Sequence, residues 1–226
     1  MKAIRRISVA VLAGVLTLLL TACGSSFDAG KYVQAGLDAT IHGEFTDYVE
    51  IANITEEEAQ EQYDEVVAAF TDQIAELGLS DEMNEKYRNF FIDLLKKTKY
   101  EVTDVQEKDG DYDVDVSIQP VQGVFDGLME ELEDASEDYI QEVLSSGEIP
   151  SEEEITEWAG EQVYSILSSR MDDVTYGDAE TVTVAVTKDD DGVYNVSEQD
   201  ITALSLKLID LGDLQDEVEA AVDAAE

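Results

Sequence analysis

Apolar residues recur along this chain with two distinct periods, and each change of period predicts a change of element. Val33, Leu37 and Ile41 repeat at every fourth position, and Phe45, Tyr48, Val49 and Ala52 fall at i, i+3, i+4 and i+7, so both stretches predict amphipathic helix. Thr55-Glu56-Glu57-Glu58 has the form of a capping box, in which a hydroxyl and a glutamate satisfy the first backbone N–H groups of a helix. The stripe it opens is Ala59, Tyr63, Val66, Phe70, Ile74 and Leu77, closed by Gly78. Ser80-Asp81 begins another helix with a broad apolar face of Met83, Tyr87, Phe90, Phe91, Leu94 and Leu95. Lys96, Lys97 and Lys99 gather at its end, where the helix dipole favours cations.

The period then shortens to two. Tyr112, Val114, Val116 and Ile118 alternate with Asp111, Asp113, Asp115 and Ser117, as in a strand with one buried face. Asp109-Gly110 before it reads as a hairpin turn, with a first strand over Lys99 to Val105.

The same order follows residue 122. Phe125, Leu128, Met129, Leu132, Ile140 and Val143 predict a helix to about Ser145, ended by Gly147 to Pro150. Ser151-Glu152-Glu153-Glu154 is a second capping box, leading into Ile155, Trp158, Ala159, Val163, Ile166 and Leu167. Val182, Val184 and Val186 alternate as a strand, and Asp191-Gly192 is the next turn. "DGDYDV" is echoed 82 residues later by "DGVYNV", placing Tyr112 and Tyr194 at matching positions. Internal duplication and convergent use of a good hairpin turn both account for the echo. Ile201, Leu204, Leu208, Leu211, Leu214 and Val218 predict a last helix on one face, with 220–226 fraying. The expected fold class is α+β, with antiparallel β-hairpins packed against several amphipathic helices. Residues 28–226 form one acidic domain in this reading, with candidate similar halves at 28–122 and 123–226.

The N-terminal segment follows different rules. Lys2, Arg5 and Arg6 precede an apolar run from Ile7 to Leu20 that is too short for a comfortable membrane span, the layout of a secretory signal over residues 1–22. Leu20-Thr21-Ala22-Cys23 resembles the lipobox of bacterial lipoproteins. That resemblance implies cleavage before Cys23 and a diacylglyceryl group on its sulfur, because the thiolate is the nucleophile that accepts the lipid. Two acyl chains on one glyceride hold a protein stably at a membrane, whereas one does not. Residues 23–27 then form the lipidated cysteine and a tether of at most about 15 Å. The expected location is the extracytoplasmic face of the cell membrane.

Charge narrows the choice of partner. The chain has 13 Lys and Arg against 54 Asp and Glu, a net charge of −41. Without Lys2, Arg5 and Arg6 it would stand at −44, with 10 basic residues against 54 acidic. No basic patch is available for phosphates, so nucleic acid is not an expected partner. The single cysteine, Cys23, leaves nothing for a disulfide, and the domain must rely on its hydrophobic core.

The layout of lipobox, "AGKYVQAGLDATIHGEFTDYVE", "TEEEAQEQYDE" and "YRNFFIDLLKKTKYEVTDV" is similar to uncharacterised surface lipoproteins of clostridia and related Gram-positive bacteria. This resemblance implies a surface location and supplies no catalytic residues. The strand, acidic turn and strand from Thr181 to Val196 resemble part of a cystatin-like or nuclear-transport-factor-like fold.

Candidate chemistry is sparse. The one histidine, His42, sits between two helical patterns as a helix-end or surface residue, and there is no phosphate-cradling glycine loop or cysteine pair. "TKDDDGVYNVSE" can be laid on a calcium loop, with Asp189, Asp191, Gly192 and Glu198 at positions 3, 5, 6 and 12. Thr187 occupies the first position, however, and the flanks read as strands, so a plain acidic hairpin turn is the simpler reading. The row Asp111, Asp113 and Asp115 reads first as a solvated sheet surface, and Trp158 as core. The expected function is a non-catalytic binding or interaction module, held at the membrane by its lipid and facing a membrane-proximal protein or envelope component. A calcium-dependent module is the alternative, with a hydrolase behind both.

Overall fold

In the computed structural model of the chain, the structure describes residues 27–147, 149–190 and 192–214. Cys23, the lipobox residues Leu20, Thr21 and Ala22, the expected fraying over 220–226, Val218 and Asp191 lie outside the described residues.

Helix α1 (Ala29–Leu37) starts at Asp28, whose side chain accepts from the Lys31 N–H, and widens into a π-turn over Asp38–His42 closed by Gly43. Ala29, Tyr32, Val33, Ala35 and Leu37 are all buried, so α1 lies in the middle of the molecule. Helix α2 (Thr46–Ala52) and α3 (Glu56–Ala75) follow, and both halves of the Thr55/Glu58 capping box are formed. The face of α3 that enters the core holds Ala59, Tyr63, Val67 and Ile74, and Val66 is only partly buried. Helix α4 (Asp81–Leu95) is capped by Ser80 and buries Met83, Tyr87, Phe90, Phe91 and Leu94, the expected face.

Strands β1 (Lys99–Lys108) and β2 (Asp111–Gln119) form an antiparallel hairpin, and Asp109 and Gly110 turn it with positive φ at both positions, as a two-residue turn requires. β1 is longer than its pattern predicts, because a bulge at Thr103 reverses its parity. Tyr100 and Val102 pair with Ile118 and Val116, and after the bulge Val105 pairs with Val114. The extra residue breaks the alternation without breaking the ladder.

A short β3 (Val121–Gln122) precedes α5 (Leu128–Ser146) and α6 (Glu152–Ser169). α5 begins at Leu128 rather than Phe125, because Gly127 enters the left-handed region and Phe125 packs as part of the preceding loop. β4 (Thr175–Tyr176) pairs with β3, and β5 (Glu180–Lys188) leads through the second turn to β6 (Tyr194–Val196). The main sheet has the order β1-β2-β5-β6, so both hairpins join one antiparallel sheet. The fold is α+β. Val114, Val116, Ile118, Val184, Val186 and Val196 line its buried face, and the aspartates of β2 face outward.

The last element departs from expectation. α7 (Glu198–Ser205) spans only the first part of the periodic stretch. Leu208 then accepts from the Val121 N–H at 2.9 Å and the Asp210 N–H donates to the Val121 carbonyl at 2.8 Å, so the chain joins β3 instead of winding on. Leu208, Leu211 and Leu214 are buried all the same. A helical spacing of apolar residues was met by a bridge and a 3₁₀ turn (Gly212–Leu214), because the free backbone of Val121 offered a better partner for these groups.

Close approach fixes two contacts between layers. A Cβ on Gly30 of α1 would stand 2.9 Å from Val105 of β1, and one on Gly160 of α6 would stand 2.5 Å from a methyl of Leu79. Glu157 of α6 also accepts from the Ser80 N–H at 2.8 Å, tying α6 to the start of α4.

Candidate functional site

The two sheet hairpins turn at the same end of the sheet, and the chain enters the fold there. Phe27 lies flat on Tyr194, with ring centroids 3.7 Å apart, and meets Tyr112 at 5.5 Å and the edge of Tyr32 at 5.1 Å. Tyr32 Oη donates to the Tyr194 carbonyl at 2.8 Å, which locks α1 to β6. Burial raises the Tyr32 phenol far above its ordinary value, with the nearby Tyr48 adding to the shift, so it stays a donor at any physiological pH. The echoed tyrosines of the sequence are therefore two walls of one aromatic cluster, 5.7 Å apart.

Acidic groups around this cluster are engaged. Asp189 Oδ1 accepts from the Val193 N–H at 2.8 Å, Oδ2 accepts from the Asn195 amide at 3.3 Å, and the Asp189 N–H donates to the Val193 carbonyl. These bonds shape the turn between two strands. Of the other calcium-loop candidates, Asp191 lies outside the described residues, and Glu198 is placed by its backbone as the first residue of α7. Asp111 accepts from the Lys188 N–H, Asp113 pairs with Lys108, and Asp115 accepts from the Thr183 hydroxyl at 2.6 Å. The outward row is thus bonded across strands. Among the described residues no group of three or more His, Cys, Asp or Glu side chains is placed to hold a metal ion.

His42 ends the π-turn. Its Nε2 is 3.1 Å from Thr98 Oγ1, whose own proton goes to the Leu95 carbonyl at 2.7 Å. The imidazole therefore donates through Nε2. Beside it, Asp38 accepts from Tyr100 Oη at 3.0 Å and from the Gln34 amide at 2.9 Å, while Gln34 Oε1 accepts from the Val102 N–H of β1 at 3.1 Å. Burial, and then Asp38, hold the Tyr100 phenol protonated. This network covers part of the sheet's edge strand, a place where an unpaired backbone invites association. A shallow groove of about 510 Å³ between α1 and β1 runs beside it, lined by Lys31, Gln34 and Tyr100. The sequence reading missed the network, and its only sequence trace is the spacing of four from Gln34 to Asp38.

Trp158 stacks on Tyr139 at 4.2 Å between α5 and α6, half-buried rather than in the core. Ile140 and Ile155, placed by the periodicity on buried stripes, are exposed. The cause is architectural: α5 buries Leu128 and Leu132 at its root and has α6 as its principal neighbour, so the far part of the helical hairpin has no third layer to pack on.

No family model matches this chain, and no curated protein matches it. Its structure is similar to a solved structure of a chain described as a candidate lipoprotein, YcdA, from Bacillus subtilis subsp. subtilis str. 168, with a TM-score of 0.51 and 16% identity. The similarity covers 89% of this chain and 57% of that one, so this chain spans little more than half its length. At that identity the likeness concerns the fold. No helix among the described residues is long and apolar enough to cross a membrane.

Proposed function

We propose that this protein is a lipid-anchored, extracytoplasmic binding module that acts by holding a partner near the membrane surface. The observation that carries the reading is the placement of Phe27, which follows Cys23 by four residues in the sequence. Four residues after the candidate lipidation site, the chain is clamped between Tyr194, Tyr112 and Tyr32 at the hairpin end of the sheet. A diacylglyceryl group on Cys23 would hold that end within about 15 Å of the bilayer, since each extended residue spans about 3.5 Å. The fold shared with a chain described as a candidate lipoprotein adds support.

A binding rather than catalytic role is supported by the state of the polar groups. His42, Asp38, Asp111, Asp113, Asp115 and Asp189 are each engaged in structural hydrogen bonds or ion pairs. The anchor is tested with Cys23→Ala in growing cells, followed by fractionation and labelling with a radioactive fatty acid. Loss of label, with unprocessed chain accumulating, is the expected result. A variant that is still processed and still held in the membrane fraction would sink the anchored reading.

A further inference from the structure

The helical hairpin of α5 and α6 projects from the fold with its turn outside the core. Within that turn and the adjoining helix ends, Ile140 is 56% exposed, Leu144 76%, Ile149 94% and Ile155 44%. Only two other large apolar side chains among the described residues are so exposed, Val105 and Met129, and neither lies near the hairpin's turn. Large exposed apolar side chains scattered singly mean little, but four in the turn and the helix segments that flank it point to a surface that is covered in use.

Charge selects what covers it. From Leu128 to Ser169 the chain has 13 acidic residues and no Lys, Arg or His. The cations near the hairpin sit along its stem: Arg170 bonds Glu131 at 2.6 Å, and Lys86 pairs with Glu82 in the field of Glu161. Beside the exposed apolar residues in the sequence stand Glu142, Glu152, Glu153 and Glu154, none of which has an ion-pair partner among the described residues. A second copy of the chain would bring the same charge against itself, and an anionic lipid surface would repel the rim. An apolar centre within a wholly acidic rim matches a helix with leucine-like anchors on one face and lysine or arginine on the other.

We propose that the turn of the α5–α6 hairpin docks a cationic amphipathic helix of a partner protein. This rests on the binding-module reading, and it does not depend on the lipid. The surface is preformed, since the Tyr139–Trp158 stack and the Ser151/Glu154 capping box stiffen the two helices behind it. Apolar side chains of the partner would cover Leu144 and Ile149, and its cations would meet the glutamates of the rim.

The test uses the full chain in neutral detergent, where anchoring plays no part. The probe is a helical peptide of about 18 leucines and lysines with the leucines at i, i+3, i+4 and i+7. Its control has the same composition, scrambled so that the leucines surround the helix. Titration calorimetry should find the patterned peptide bound at least about tenfold more tightly than the scrambled one, and Leu144→Ser with Ile149→Ser, which changes no charge, should abolish that difference. Equal affinity for both peptides, or an unchanged preference in the double variant, would reduce the effect to general attraction and overturn the proposal. Sedimentation of the wild-type chain as a dimer that the double variant loses would also overturn it, by assigning the patch to a second copy. Because the two peptides are compared on the wild-type chain, the result stands even if a variant folds poorly. A failed Cys23→Ala test with successful docking would remove the anchor alone.

Discussion

Phe27 lies on Tyr194 with the rings 4° from parallel and their centroids 3.7 Å apart. This contact ties the first described residue of the chain to a strand more than 160 residues later, and it decides which end of the sheet the N-terminal segment leaves from. Phe27→Ala should lower the unfolding free energy by about 1–2 kcal/mol, less than a fully buried phenylalanine because Phe27 is half-buried. Urea denaturation measures it, and an unchanged midpoint would mean the ring does not pack as described.

Two buried tyrosines should respond differently to loss of the hydroxyl. Tyr63 Oη has no hydrogen-bond partner among the described residues, whereas Tyr87 Oη donates to the Gly160 carbonyl at 2.8 Å. An unpaired buried polar group costs free energy and a paired one contributes about 1 kcal/mol. Tyr63→Phe should therefore leave the melting temperature unchanged or raise it, and Tyr87→Phe should lower it by several degrees. The same sign for both substitutions would contradict the assignment.

The capping boxes set a pH dependence. The backbone and hydroxyl of Thr55 hold the Glu58 carboxyl below its ordinary value, and Ser151 does the same for Glu154. A lowered folded pKa means stability that is present above the ordinary glutamate range and lost as pH falls through the folded value. Glu58→Gln with Glu154→Gln should thus melt below wild type at neutral pH, with the gap closing in acid. Thr55→Ala and Ser151→Ala should each cost about 1 kcal/mol. A gap that widens as pH falls would reverse the sign and refute the linkage.

Asp189 shapes the second hairpin turn through its bonds to Val193 and Asn195. Asp189→Ala should lower the melting temperature in calcium-free buffer. Millimolar calcium at matched ionic strength should then leave wild type and variant unshifted, because screening of a chain at −41 follows ionic strength and is held constant. A saturable shift in wild type that the variant loses would instead establish a calcium site.

Local rules were legible wherever one local force acted alone. The capping boxes at Thr55 and Ser151, the face of α4 and the alternation of β2 could be read directly, since each depends on neighbours within a few residues. The bulge at Thr103 was hidden because one inserted residue imitates the end of a strand. The spacing after Ser205 imitated a helix because the leucines are buried in either conformation.

The candidate site divided in the same way. The Tyr112/Tyr194 echo was visible as a repeat, but its role as the clamp for Phe27 depends on the pairing of β2 with β5 and β5 with β6. Ile140 and Ile155 fit buried stripes equally well as exposed ones. The sequence by itself determined the capped helices and the alternating strands, the acidic charge, the class α+β and the lipobox-like stretch ending at Cys23, because these are properties of composition and short-range period. Only the tertiary structure decided that both hairpins share one sheet, that Phe27 closes its end, and that the α5–α6 turn stands outside the core. Those depend on which distant surfaces meet, and an apolar stripe specifies burial without naming its partner.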